Sequence, residues 1–287
     1  MEHKEVLFPI GIVFILALIG VLGNLFVAMA AWSLRTTSTC NYLIFAGTVM
    51  NVVHQSIHFV TTFVAFTGIS TIPLDVCFIM QVLPFSCIIG TSVITLFIGI
   101  DRVIGFYFPF VYHKFSIPMY VAVVYVLTGG YALTFIILFF STIEDMSKPV
   151  LCAPGSIITI DYAFYYLFTT AALYIVTTVL YMSIWFISYK HRKELPGYTK
   201  ILKPITIIVA LSLSGWLLNF LFSIIATSID LNPEVAPLWG GITVNLAVAS
   251  EFFVFYAHST EYRKFFVKQM LKCVKKSSNS KTGITLY

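Results

Sequence analysis

Asp101 and Arg102 stand side by side at the inner end of the third of seven long apolar stretches. An arginine at the edge of hydrocarbon is held by a neighbouring carboxylate, and it can be offered to a partner protein if the helices around it separate. Two interfacial charges snorkelling to water would be the plainer reading of the pair. A second group with chemical potential is the stripe Asn51, His54, Gln55 and His58, which recurs at helical spacing in the second stretch and so shares one helix face. His54 and His58 also have the i, i+4 spacing that suits one metal ion. Asn24 in the first stretch and Glu251 in the seventh fall at similar depth to Asn51, so a polar cluster on three helices is expected. The alternative for Asn24 is a group that only joins helices. Glu251 must be protonated or paired in such surroundings, and either state makes it a candidate switch element.

The elements that must position these residues are set by apolar length. A span needs about 20 mostly apolar residues to cross roughly 30 Å of hydrocarbon. Such stretches run at 7–32, 42–67, 78–100, 118–140, 159–187, 201–228 and 236–257. With 59% hydrophobic and 10% charged residues, a soluble domain of 287 residues would lack the polar surface to stay in solution. The reading is an all-α membrane protein, a seven-transmembrane helix bundle with a short amphipathic cytoplasmic helix after span seven. Of the 17 Lys and Arg residues, 15 fall on one side of the bundle, leaving Lys4 and Lys148 on the other. The positive-inside rule then places the amino terminus outside the cell and the tail in the cytoplasm. The net charge of +5 is concentrated where anionic lipid and cytoplasmic partners would meet it, and requires no nucleic acid.

The boundaries that follow are an extracellular N-terminus over 1–6, a seven-span domain over 7–257, an amphipathic helix over 258–273 and a disordered tail over 274–287. The first stretch is too long for a signal peptide and carries Asn24 within it. In the amphipathic segment Tyr262, Phe265, Phe266 and Met270 recur at helical spacing, with Lys264, Lys268 and Lys272 between them. Cys273 at its end is placed for S-palmitoylation, with chance placement as the alternative. Cys40 is also cytoplasmic and Cys87 lies within the membrane, so only Cys77 and Cys152 are on the oxidising side. One disulfide is possible there, with two free thiols as the alternative.

The run Ile98-Gly99-Ile100-Asp101-Arg102-Val103, continuing through Phe108-Pro109 to Tyr112, resembles the end of the third helix in rhodopsin-like (class A) G-protein-coupled receptors. It resembles more closely the nematode serpentine chemoreceptors of the Srsx class. Gly23-Asn24, Asn41-Tyr42-Leu43-Ile44 with His54-Gln55, Cys77-Phe78, and Phe255-Tyr256 followed by Ser259, Glu261, Tyr262 and Arg263 fit the same class in the expected order. The resemblance implies a chemoreceptor at the plasma membrane that binds a small extracellular ligand within the bundle and opens a cytoplasmic cleft to a heterotrimeric G protein. Asp101, Arg102, Val103 and Tyr112 would serve coupling; Asn24, Asn51, Trp216, Glu251 and Tyr256 would serve the activation switch. Cys77 and Cys152 match the family's outer disulfide. Its partners would be the G protein, a small molecule and membrane lipids, with no cofactor, metal or nucleic acid.

The chain departs from the family pattern at several positions. Asn51 stands where the family has Asp; Phe252 and Phe253 replace the Asn and Pro before Tyr256; Leu218 replaces the proline after Trp216. Ser212, Ser214 and Gly215 are then expected to supply a bend in span six. At the foot of that span Tyr198 occupies about the position of the usual acid, with Glu194 nearby. A weaker resting lock and some basal activity are therefore expected. Pro84 stands where amine receptors carry an acid, and no lysine lies between Lys203 and Lys264 to hold retinal. Gln81, Phe85, Tyr165, Asn219, Phe220 and Trp239 are the expected lining of a pocket for a small, neutral or weakly polar molecule. A seven-span transporter or channel subunit, and a membrane metallohydrolase using His54 and His58, remain as alternatives. The transporter lacks paired repeats and broken helices in matching positions, and the hydrolase would need a third ligand and a base.

Overall fold

The computed structural model describes residues 3–67, 71–112, 114, 116–158, 160–190, 198–228 and 235–282. Seven helices among them are long and apolar enough to cross a membrane. They are α1 (His3–Leu34), α2 (Thr39–Phe66), α3 (Leu74–Tyr107), α4 (Ile117–Ser141), α5 (Ile160–Lys190), α6 (Tyr198–Ser228) and α7 (Ala236–His258). An eighth helix, α8 (Thr260–Thr282), follows α7 after Ser259. The protein is thus a multi-pass membrane bundle, as its apolar stretches indicate.

Helix ends follow local chemistry more than hydrophobicity. α3 is the longest span, exceeding its apolar stretch at both ends. At its start Leu74 N–H donates to the Lys148 carbonyl, and the short strands β1 (Ile72–Pro73) and β2 (Pro149–Val150) pair antiparallel beside it. At its far end the helix continues through Asp101 and Arg102 to Tyr107, and Pro109–Tyr112 adds a single helical turn. Backbone groups left in hydrocarbon must be paired internally, so continuing the helix to the interface is the stable solution.

α3 is central, packing on α2, α4 and α5, while α1 lies between α2 and α7 and α6 joins α5 to α7. Two large buried clusters divide the interior. One, at the end that holds Arg102, gathers Leu43, Ile94, Tyr181, Leu202, Phe255, Tyr262 and Phe266. The other, at the disulfide end, gathers Cys77, Phe85, Phe139, Cys152, Tyr166 and Trp216. Between helices in lipid, close backbone approach replaces the hydrophobic effect as the main source of attraction. A Cβ at Gly23 would stand 2.8 Å from Cβ of Phe252, which shows how near α1 comes to α7.

Gly215 shows the same thing between α6 and α7. The Thr243 hydroxyl donates to its carbonyl at 2.8 Å, and a Cβ there would meet the Thr243 carbonyl oxygen at 2.9 Å. The expected bend residue is therefore also a contact residue. Backbone cannot swing aside as a side chain can, so Gly215→Ala should push the helices apart at a cost of about 1 to 3 kcal/mol. Thermal unfolding in lipid nanodiscs checks this; an unchanged melting temperature would show that the helices yield freely.

α8 docks under the bundle. Tyr262 stacks on Phe255 at 4.5 Å and donates its hydroxyl to Asn41 Oδ1 at 3.0 Å, and Phe266 packs on Phe252 at 4.9 Å. Burial pushes the Tyr262 phenol well up from its ordinary value, so it stays a donor. Asn41 in turn donates to the Leu34 carbonyl at 2.9 Å, tying the α1–α2 turn to the same contact. Of the four apolar residues that recur at helical spacing, Tyr262 and Phe266 are buried, Phe265 is half-buried and Met270 is exposed. The helix extends nine residues beyond the expected boundary at 273, since no glycine or proline interrupts the sequence before Gly283. The side chain of Cys273 lies outside the described residues.

Candidate functional site

The end of α3 opposite the disulfide places a charge pair in a nearly closed setting. Arg102 donates from Nε to Asp101 Oδ2 at 3.0 Å, and its Nη2 also meets that oxygen. Nη2 further donates to the Ser38 hydroxyl at 2.9 Å and the Tyr112 hydroxyl at 3.3 Å. Tyr112 donates to both Asp101 oxygens, at 3.1 and 3.3 Å. Asp101 is 1% exposed and Arg102 8%. Burial and the Asp101 carboxylate raise the Tyr112 phenol above its ordinary value, keeping it protonated. The arginine is thus held by one acid, one phenol and the residue that precedes α2. Ser38 was not singled out from sequence, since it lies 64 residues away in a turn whose sequence carries no motif. Glu194 and the side chain of Tyr198 lie outside the described residues. Val103 is half-buried and packs on the adjoining apolar cluster.

Nearer mid-depth, two of the three expected polar residues meet, Asn51 and Glu251. Asn51 donates to Glu251 Oε1 at 2.9 Å, linking α2 to α7. Asn24 donates to the Val248 carbonyl at 3.2 Å, one turn before Glu251, and to its own Gly20 carbonyl at 3.0 Å. Asn24 therefore holds α1 to the backbone of α7 and does not touch the carboxyl in this arrangement. Tyr256 faces away, stacked on Phe252 and Phe266 at the junction with α8.

Towards the disulfide end a cavity of about 680 Å³ opens among α1, α2, α3, α5, α6 and α7. Phe85, Tyr166 and Trp216 form one connected aromatic wall, with Phe85 and Trp216 each in ring contact with Tyr166 at 5.8 and 5.9 Å. Ala153, Pro154, Gly155 and Ile158 bring the α4–α5 connection over it. That connection is fixed by the Cys77–Cys152 disulfide and by the Thr61 hydroxyl, which donates to the Cys152 carbonyl at 2.7 Å.

Of the residues expected to line the pocket, Phe85 and Asn219 do so. Gln81 is instead buried beside the disulfide, with Nε2 3.7 Å from Cys152 Sγ. Trp239 packs on Phe8 of α1, and Phe220 is half-buried outside the lining. On α5 the inward ring is Tyr166, 1% exposed, whereas Tyr165 is 59% exposed on the outer face. One residue is a turn of 100° on a helix, enough to exchange the two faces. The α2 stripe also divides: Asn51 goes to Glu251, Gln55 to the surface of α1 at Gly20, and His54 and His58 to the cavity. Asn245 and Ser223 line it too and were missed. Asn245, a lone amide in an apolar run of α7, was detectable by the rule that polar groups in a span face inward. Among the described residues no three His, Cys, Asp or Glu side chains gather as a metal site.

No curated protein matches the chain. A family model described as "Serpentine type 7TM GPCR chemoreceptor Srsx" matches residues 17–270, most of the chain.

Proposed function

The chain belongs to the Srsx family of serpentine seven-transmembrane G-protein-coupled chemoreceptors, and from that premise we propose that it is a plasma-membrane receptor with its amino terminus outside the cell. It binds a small extracellular molecule in the bundle cavity and activates a heterotrimeric G protein through Arg102. The family points to a receptor, not an enzyme. The observation that carries the reading is the placement of two unlike sites at opposite ends of one bundle. One is the roofed cavity on Trp216; the other is the Asp101–Arg102–Tyr112–Ser38 network at the foot of α3.

The network is a lock that can open. Its members come from α3, from the turn after it and from the residue before α2, so a shift of α3 against α2 breaks the bond from Arg102 to Ser38. A guanidinium released from it presents a planar, permanently charged donor fork to a partner's carbonyls or carboxylates. At the other end Trp216 follows Gly215, whose carbonyl is bonded to α7, so a ligand pressing on the indole acts on the α6–α7 contact. Cys273 is proposed as an acylation site, and the basic face of α8 as its contact with anionic lipid.

The deciding experiment compares G-protein activation by the wild type and Arg102→Ala in cells, at matched surface level, across a panel of small molecules and G-protein families. The wild type is expected to signal above background, and Arg102→Ala to fall by about tenfold or more. Equal signals from the two proteins would remove the coupling role.

A further inference from the structure

The cavity is lined by polar residues of α2, α6 and α7 and by the aromatic wall of Phe85, Tyr166 and Trp216. His54 and His58 stand one turn apart on α2, their rings edge to face with centroids 5.3 Å apart, and they are 2% and 6% exposed. Asn245 of α7 completes this notch. Its Nδ2 donates to the Gly241 carbonyl at 2.8 Å, and its side chain also meets His58. Both ring nitrogens of His54 have no hydrogen-bond partner; Nε2 of His58 and Oδ1 of Asn245 have none in good hydrogen-bond geometry, although the two side chains face each other. All three residues line the cavity, together with the Phe85–Tyr166–Trp216 wall. Among the described residues that line it there is no Asp, Glu, Lys or Arg.

We infer that this cavity takes an uncharged molecule with an apolar body and a hydroxyl or carboxamide head, the head seated against His54, His58 and Asn245. The inference rests on the receptor reading of the cavity and names the chemistry of its ligand. An ammonium or carboxylate brought here would leave water without a fixed charge of opposite sign among the described lining residues to meet it, a cost that lining amides and imidazoles do not offset. The head group follows from the inventory of donors and acceptors. A neutral imidazole offers one N–H and one bare nitrogen, and Asn245 Oδ1 only accepts. The notch therefore needs a group that both donates and accepts; an ether or ketone answers half of it, and a hydrocarbon none. Buried polar atoms left without partners are costly, so the site discriminates against the analogue that lacks the matching group. The aromatic wall supplies apolar area for the body, and a volume of about 680 Å³ is in the range for drug-sized molecules.

The test uses the full-length protein in lipid nanodiscs and matched sets of water-soluble phenylalkyl and cycloalkyl compounds. Within a set the skeleton is constant and the head is hydroxyl, carboxamide, methyl ether, ammonium or carboxylate. Dissociation constants are measured for the wild type, His54→Leu, His58→Leu and Asn245→Leu, with the Gln variants at both histidines as conservative controls for folding. Phe85→Ala serves as a variant of the apolar wall. Hydroxyl and carboxamide members should bind about tenfold tighter than their partners. The Leu variants should flatten that preference and weaken the methyl ethers much less, the Gln variants should keep part of it, and Phe85→Ala should weaken every head alike. Preference for a charged head, head selectivity that survives the Leu variants, binding that requires added zinc or copper, or no binding by any set would each overturn the inference. Binding is read without a G protein, so failure of Arg102-dependent signalling leaves this result standing. A charged-head preference, conversely, would remove the ligand class and leave the receptor reading intact.

Discussion

Asp101→Asn is expected to raise ligand-independent G-protein signalling several-fold at matched surface level, and to lower thermal stability at the same time. The carboxylate is the common acceptor of the network, taking bonds from two nitrogens of Arg102 and from the Tyr112 hydroxyl. An amide in its place keeps the shape and removes the charge. Breaking a buried ion pair by removing one partner typically costs about 3 to 5 kcal/mol, because the other charge is left uncompensated. The cost falls mainly on the closed arrangement, in which Arg102 is 8% exposed. An arrangement that gives Arg102 to water or to a G protein is penalised less, so the population shifts towards it. A difference of about 1.4 kcal/mol between the two arrangements already changes their ratio tenfold. Tyr112→Phe should have the same sign and a smaller size, because it removes hydroxyl bonds and no charge. The double variant with Arg102→Ala should return to background. Basal nucleotide exchange measured for the wild type and these three variants decides the matter: Asp101→Asn at or below wild-type activity would show that the acid does not hold the arginine at rest.

The residues of this lock were legible from sequence to different degrees, for physical reasons. Asp101 and Arg102 are conspicuous because charge at the end of an apolar run has few explanations. Tyr112 entered through the resemblance of the run that ends in it, as a coupling residue; its bond to the carboxylate depends on the turn Pro109–Tyr112 folding back. Ser38 was invisible, since its contact joins two chain segments through tertiary packing alone. The seven spans follow from apolar length, which water and hydrocarbon fix almost without reference to neighbours. Helix phase is harder. On α2 the polar residues mark the inward face, and the cavity and Glu251 receive them. On α5 the run Phe164-Tyr165-Tyr166-Leu167-Phe168 is apolar and aromatic throughout, so nothing in it marks which side meets lipid. Packing against Phe85 and Trp216 selects Tyr166, and that choice depends on helices far away in sequence. The pocket was accordingly read with its outer-end residues in part misplaced, and Phe85 and Asn219 are the expected residues that line it.

Cys77→Ser, Cys152→Ser and the double variant are expected to lose the same stability, about 2 to 4 kcal/mol each. Equality is the informative part, since a bond removed once cannot be removed again, and two independent thiols would give additive losses. The bond joins residues 75 apart in sequence, and a loop of that length would give a large entropic effect in a chain that unfolds completely. A bundle in lipid keeps its spans inserted when tertiary contacts fail, so the denatured loop is already restricted and the lower part of the range applies. The consequence for the cavity is greater than the consequence for the bundle. Cys152 anchors the segment whose Ala153, Pro154, Gly155 and Ile158 roof the cavity, and Thr61 and Gln81 both reach for that anchor. Freed from Cys77, the segment retains the two-residue strand pairing, the Leu74 bond to the Lys148 carbonyl just before it, the Thr61 bond and the packing of Leu151, Ala153 and Ile157, with no covalent tie to hold it over the opening. Thermal unfolding of the three variants in nanodiscs, with hydrogen exchange followed over residues 149–158, separates the two effects. Additive losses, or wild-type protection of that segment in the double variant, would show that the disulfide does not hold the roof.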